Sequence, residues 1–138
     1  MDFGIERVDY SNPTQASHLI QLLNEYACEP MGGGKPIPIE LNEKLIHGLA
    51  DFPTAFSLLI YSGNIPVALS NCFFGFSTFA AQKLINIHDL MVSKDFRGNC
   101  LSTLLLQEIE KIARENDCVK ITLEVLSNNE IAKNSYKK

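Results

Sequence analysis

The sequence predicts a mixed α/β domain, one sheet with helices on both faces. Three observations lead there. Apolar residues repeat at helical spacing near both ends of the chain. Between them lie three consecutive strand-like runs joined by short turns, which read as an antiparallel meander. A strand–helix–strand unit then runs from Leu84 to Val125, which topology makes a right-handed parallel crossover. The predicted order is β-α-α-β-β-β-α-β-α.

Ile5–Asp9 reads as a short strand. Asn12-Pro13 opens the first helix, with Asn12 as N-cap, Pro13 at the first helical position and Gln15 placed for a capping box. Ala16, Leu19, Ile20, Leu23 and Ala27 form its apolar stripe. Pro30–Pro38, with three consecutive glycines at Gly32–Gly34, is a loop, either a substrate-side lid or a plain connector. Glu40–Leu49 reads as a shorter helix with Leu41, Leu45, Ile46 and Leu49 inward. Ala55–Tyr61 and Val67–Phe76 are strands about the turn Ser62–Pro66, and Leu84–Val92 is a third.

Leu101, Leu104, Leu105, Ile109, Ile112 and Ala113 mark the next helix, with Gln107, Glu108, Lys111, Arg114 and Glu115 opposite. Asn116-Asp117 stops it. Lys120–Val125 alternates as a strand, with Ile121, Leu123 and Val125 on one face and Thr122 and Glu124 on the other. Ser127 and Glu130 have capping-box spacing and open a last helix to Tyr136.

The chain of 138 residues is the size of a single domain, taken as 1–138. Hydrophobic residues at 46% and charged residues at 20% exclude wholesale disorder. The net charge of −4 argues against a nucleic-acid partner, which calls for a basic face. Cys28, Cys72, Cys100 and Cys118 form no C-x-x-C pair, and no His stands at zinc-ligand spacing, so no metal site is expected. Free thiols in a reducing compartment follow. No signal peptide is visible, and the apolar runs are far short of the ~20 residues that a membrane span needs. A cytoplasmic protein with no membrane partner is the expectation.

The chemistry concentrates between Asp89 and Leu105. A buried strand ends at Val92, a short loop carries Arg97 and Gly98, and a helix starts near Leu101 with Ser102 and Thr103 in its first turn. The first N–H groups of a helix lack internal partners, and its dipole favours negative charge there. Arg97 adds a fork-shaped cation suited to phosphate. A pyrophosphate could sit on that turn.

This stretch resembles the GNAT N-acetyltransferase superfamily. Leu90-Met91-Val92 followed by Phe96-Arg97-Gly98-Asn99-Cys100-Leu101-Ser102 is similar to the family's acetyl-CoA motif, Arg/Gln-x-x-Gly-x-Gly/Ala. Leu123–Asn129 resembles the strand and turn that follow, and Asn129-x-x-Ala132-x-x-x-Tyr136 resembles the family's Tyr helix. The resemblance covers about residues 84–138; the first half fits by the order of its elements. One position departs from the motif: Cys100 stands where the family has Gly, which lets backbone approach phosphate closely. A thiol at a helix N-terminus also raises a redox or catalytic role for Cys100.

The resemblance implies a GNAT-like acyl-CoA N-acyltransferase fold and an acetyl-CoA-dependent N-acetyltransferase, acting on a small-molecule amine or a peptide amine by direct attack. It assigns the pantetheine arm to the backbone of Leu90, Met91 and Val92. The pyrophosphate falls to Arg97, Gly98, Asn99, Cys100, Leu101, Ser102 and Thr103. Asn129 binds the cosubstrate through its amide, and Tyr136 is the general acid for the departing thiolate. Candidates for the base are Glu124, then His88, then Asp89. Adjacent strand residues point to opposite faces, so His88 and Asp89 share a cleft only across a bulge. The alternative, motivated by Cys100 and the open choice of base, is a non-catalytic acyl-CoA-binding or regulatory domain on the same fold. The family continues after Tyr136 into a closing pair of strands, whereas here Lys137-Lys138 follow. The expectation is therefore a C-terminally short chain, or a sheet completed by another molecule such as a second copy.

Overall fold

The computed structural model describes residues 2–30 and 33–124. Strand β1 (Phe3–Arg7) is followed by helices α1 (Pro13–Cys28) and α2 (Asn42–Asp51). The meander β2 (Ala55–Ser62), β3 (Ile65–Ser77) and β4 (Gln82–Val92) comes next, then helix α3 (Leu101–Glu115) and strand β5 (Lys120–Leu123). The five strands lie side by side in chain order, antiparallel from β1 to β4, with β5 parallel to β4. The meander and the parallel crossover are thus as the sequence implies. The helix expected from Ser127 to Tyr136 lies outside the described residues.

Several boundaries differ for local reasons. β1 begins two residues before the expected strand, because its pairing with β2 runs from Phe3 opposite Ser62 to Arg7 opposite Leu58. Asn12 caps α1 as expected, accepting from the N–H groups of Thr14 and Gln15. Gln15 reaches past the cap: its Oε1 accepts from the Asp9 N–H at 2.8 Å and its amide donates to Glu6. It ties the helix to β1 rather than closing a capping box. On α1 the buried positions are Ala16, Leu19 and Leu22. Leu41, expected inward, is 42% exposed, because a 3-10 turn over Ile39–Leu41 precedes α2 and rotates it outward.

The loop between α1 and α2 is tied back where it is described. Gly34 N–H donates to Glu29 O, Lys35 N–H to Ala27 O and Ile37 N–H to the Asn24 side chain.

Two apolar layers sandwich the sheet. On one face Phe56, Leu58, Ile60, Ile85 and Ile87 meet Leu101, Leu105, Ile109 and Ile112 of α3. On the other, Leu59, Leu69 and Met91 meet Leu19 and Leu22 of α1 and Leu49 of α2. Alternation along each strand assigns the faces. All four cysteines are free. No helix among the described residues is long and apolar enough to cross a membrane.

Candidate active site

A bulge in β4 builds the centre of the site. Asn71 pairs with Asp89 and the next β3 residue, Cys72, pairs with Ile87, so His88 is an extra residue in the ladder. An added residue shifts the alternation by one. Before the bulge Ile85 and Ile87 face α3; after it Leu90 and Val92 do, and Met91 turns to the α1–α2 side. His88 and Asp89 therefore share the α1–α2 face. The His88 ring meets Phe73 edge-on at 5.9 Å, and Asp89 accepts from the Asn71 amide at 3.1 Å.

Glu124 reaches the same place from the next strand. Its N–H donates to Ile87 O at 3.0 Å, extending the parallel pairing by one bond. That places its carboxylate 3.0 Å from His88 Nδ1, with both side chains more than half exposed. A carboxylate on Nδ1 fixes the ring orientation and leaves Nε2 free to exchange a proton. Two candidates for the base, singled out separately in the sequence, are thus a pair. Asp89 is held by a different chain of bonds. Tyr10 OH and Ser57 Oγ are 2.8 Å apart, Ser57 donates to Asn71 Oδ1 at 2.6 Å, and Asn71 donates to Asp89. Ser57 and Asn71 are buried, so this network is a fixed support. Nothing in the one-dimensional sequence joins Tyr10, Ser57 and Asn71; the β2–β3 register sets Ser57 against Asn71, and the turn between β1 and α1 brings Tyr10 to Ser57. Burial raises the Tyr10 hydroxyl above its ordinary range, with the Ser57 hydrogen bond acting against it. Burial also raises Tyr26, reinforced by the charge of Asp89 and then Glu29.

Past the bulge, the β4 edge beside Leu90 and Met91 faces no strand among the described residues; β5 pairs with Leu84–Ile87. Val92 O accepts from Arg97 Nε at 3.1 Å. The Arg97 Nη2 donates to both Glu29 oxygens, at 2.8 and 2.6 Å. The neighbouring Glu25 accepts from Ser93 Oγ and Lys94 N–H. Arg97 is therefore a strap between the end of α1 and the turn, a use that its residue type alone did not disclose. The turn's anion-seeking groups are the N–H groups at the start of α3, where no acidic side chain stands in the first turn.

Gly98 has φ +89° and Cys100 φ +60°. Cys100 occupies the left-handed conformation that glycine adopts without strain, and its side chain makes no capping hydrogen bond. The thiol is exposed at the mouth of the turn. Asn99 turns its amide back to Phe96 O. Asn129 and Tyr136 lie outside the described residues. Among the described residues no group of three or more His, Cys, Asp or Glu could hold a metal.

Among the described residues, β5 pairs only with the half of β4 before the bulge, and a helix begins soon after that strand ends; this is the arrangement of a GNAT-like fold. Residues 19–138 match the Acetyltransferase (GNAT) family, and the chain belongs to it. Solved structures agree on the fold. A ribosomal-protein-alanine N-acetyltransferase from Brucella melitensis biovar Abortus 2308 superposes with a TM-score of 0.80 at 16% identity, over 98% of this chain and 89% of that one. A possible acetyltransferase from Clostridium difficile 630 gives 0.79 at 20% identity, over 97% and 86%. An aminoglycoside acetyltransferase from an uncultured soil metagenomic sample gives 0.78 at 16% identity, over 97% and 84%. No curated protein sequence matches the chain significantly.

Proposed function

We propose that the protein is an acetyl-CoA-dependent N-acetyltransferase that acetylates a primary amine by direct attack. The observation that carries this reading is the His88–Glu124 pair beside the part of β4 that pairs with no described strand on that side. The residues present suit the cosubstrate. Strand backbone at Leu90 and Met91 can pair with the two amides of a pantetheine arm, as an added strand would. The N–H groups of Leu101, Ser102 and Thr103 can receive the pyrophosphate, with Arg97 and Glu29 holding the turn in place. Bound there, acetyl-CoA supplies an activated acetyl thioester.

The chain's own groups do the rest. An amine reaches the site as an ammonium ion and must lose a proton before it can attack. His88 Nε2 takes that proton, and Glu124 stabilises the resulting imidazolium. Asp89, positioned by Asn71, adds a carboxylate that draws the ammonium in. Tyr136, by resemblance, returns a proton to the departing thiolate, and Asn129 contributes an amide to the cosubstrate. The names of the two substrate-specific neighbours, one acting on a ribosomal protein and one on aminoglycosides, support an amine acceptor without selecting one.

A non-catalytic acyl-CoA-binding role is the second reading, favoured by Cys100 in the left-handed position of the phosphate turn. One experiment separates the two. In the catalytic reading His88→Ala lowers kcat about a hundredfold while acetyl-CoA binds with wild-type affinity, as for loss of a general base. Wild-type binding without turnover on any amine supports the second reading.

A further inference from the structure

The cleft beside the His88–Glu124 pair carries information about the acceptor. It lies between α2 and the β3–β4 ladder, with a volume of about 640 Å³ and a mainly apolar lining that includes Leu45, Gly48, Phe52 and Phe73. It is an open groove rather than an enclosed cavity, so it suits a small body laid against its apolar wall. Phe52 and Phe73 meet edge-on at 5.3 Å, and Phe52 is left 51% exposed at the end of α2. We infer that the acceptor is a primary amine carried on a small apolar body, which this cleft holds; the inference rests on the N-acetyltransferase reading.

Geometry supports the assignment. Asn86 lines the cleft, His88 follows two residues later on the same face, and the open edge begins at Leu90. Two residues of strand span roughly 7 Å. Phe73 belongs to both places, lining the cleft and touching the His88 ring. A body seated against Phe52 and Phe73 therefore puts an amine two or three carbons away beside His88. Acceptor body, proton acceptor and donor edge lie in that order along one strand.

Charge sorts the candidates further. Asp89 and Glu124 are at the His88 end, where an ammonium belongs. Lys44 is also on the cleft lining, and its cation opposes a second ammonium seated within the cleft. A polyamine or aminoglycoside body would meet both an apolar wall and a like charge. Gly48 supplies a handle: a Cβ built there meets no atom within 4 Å, so a larger side chain enters open space.

The test is a thiol-release assay on the full chain with phenethylamine, hexylamine, ethylamine, spermidine and the dipeptide amide Phe-Gly-NH2. The expected result is kcat/KM for phenethylamine and hexylamine about tenfold or more above ethylamine and spermidine. Equal or better use of spermidine or ethylamine overturns the inference. Phe-Gly-NH2 matching phenethylamine identifies a peptide terminus as the source of the apolar amine; its failure identifies a free amine. Gly48→Leu is expected to lower the phenethylamine-to-ethylamine ratio about tenfold, and an unchanged ratio counts against the cleft. Should that variant not fold, Phe52→Ala on the half-exposed ring serves for the same ratio. A readout independent of turnover is thermal stability with unreactive CoA present: phenethylamine raises the wild-type Tm more than spermidine does. Absence of both acetyl-CoA binding and turnover would instead overturn the enzyme reading.

Discussion

At Cys100 a single residue's backbone conformation bears on stability. The left-handed conformation at φ +60° costs a Cβ-bearing residue roughly 1–2 kcal/mol that glycine avoids. Cys100→Gly is expected to raise unfolding stability by about 1 kcal/mol, read from the urea midpoint at constant m-value. A lower midpoint would mean that the thiol makes a compensating contact. The motif shows that glycine is the usual occupant, so this position was legible in the sequence. The Arg97–Glu29 strap was not, because the partners are 68 residues apart in the chain. Nor was the His88–Glu124 pair, which needs both a bulge and a parallel register to form.

Elements were legible where local patterns decide them. α1 has a proline at its first position, a capping Asn12 and a periodic apolar stripe, and it begins where those signals put it. Its cap can be tested alone. Asn12→Ala leaves the Thr14 and Gln15 N–H groups without their side-chain acceptor and should cost about 1 kcal/mol of unfolding stability, while Asn12→Asp should cost little. An unchanged midpoint for the alanine variant would show that the ties of Gln15 to Asp9 and Glu6 hold this end by themselves. Elements set by pairing were less legible. β3 and β4 extend beyond their apolar runs, to Ser77 and from Gln82, because the ladder continues into the hairpin tip. The bulge at His88 has no composition signal, since it depends on how Asn71 and Cys72 meet the next strand.

For the whole molecule, the shared core links stability to pH. Cys72 lies in the sheet layer facing α3, and burial pushes its thiol up to about 12 despite a Ser70 hydrogen bond that acts the other way. In the unfolded chain a thiol titrates near ~8.5. Below that pH both states keep the proton and Cys72 contributes no pH dependence. Between about 9 and 12 the unfolded chain loses the proton while the native chain retains it, so stability falls by up to ~1.4 kcal/mol per pH unit from this group. The slope of unfolding free energy against pH should be shallower in Cys72→Ala over pH 9–11. Identical slopes would place the alkaline sensitivity in Tyr10, Tyr26, Tyr61 and Cys118, which burial also raises.

The order of elements, the mixed sheet and the position of the turn before α3 all follow from periodicity and motif. The cleft and the His88–Glu124 pair arise from register between distant strands, which periodicity does not encode. That the chain transfers an acetyl group from acetyl-CoA to an amine is what the proposed function requires first. Its most direct measurement is mass spectrometry of an amine incubated with the protein and acetyl-CoA, with released CoA thiol counted in the same sample. Acetylated amine and free thiol are expected in equal amounts, both abolished when acetyl-CoA is omitted. Saturating binding of acetyl-CoA with neither product formed on any amine would contradict it.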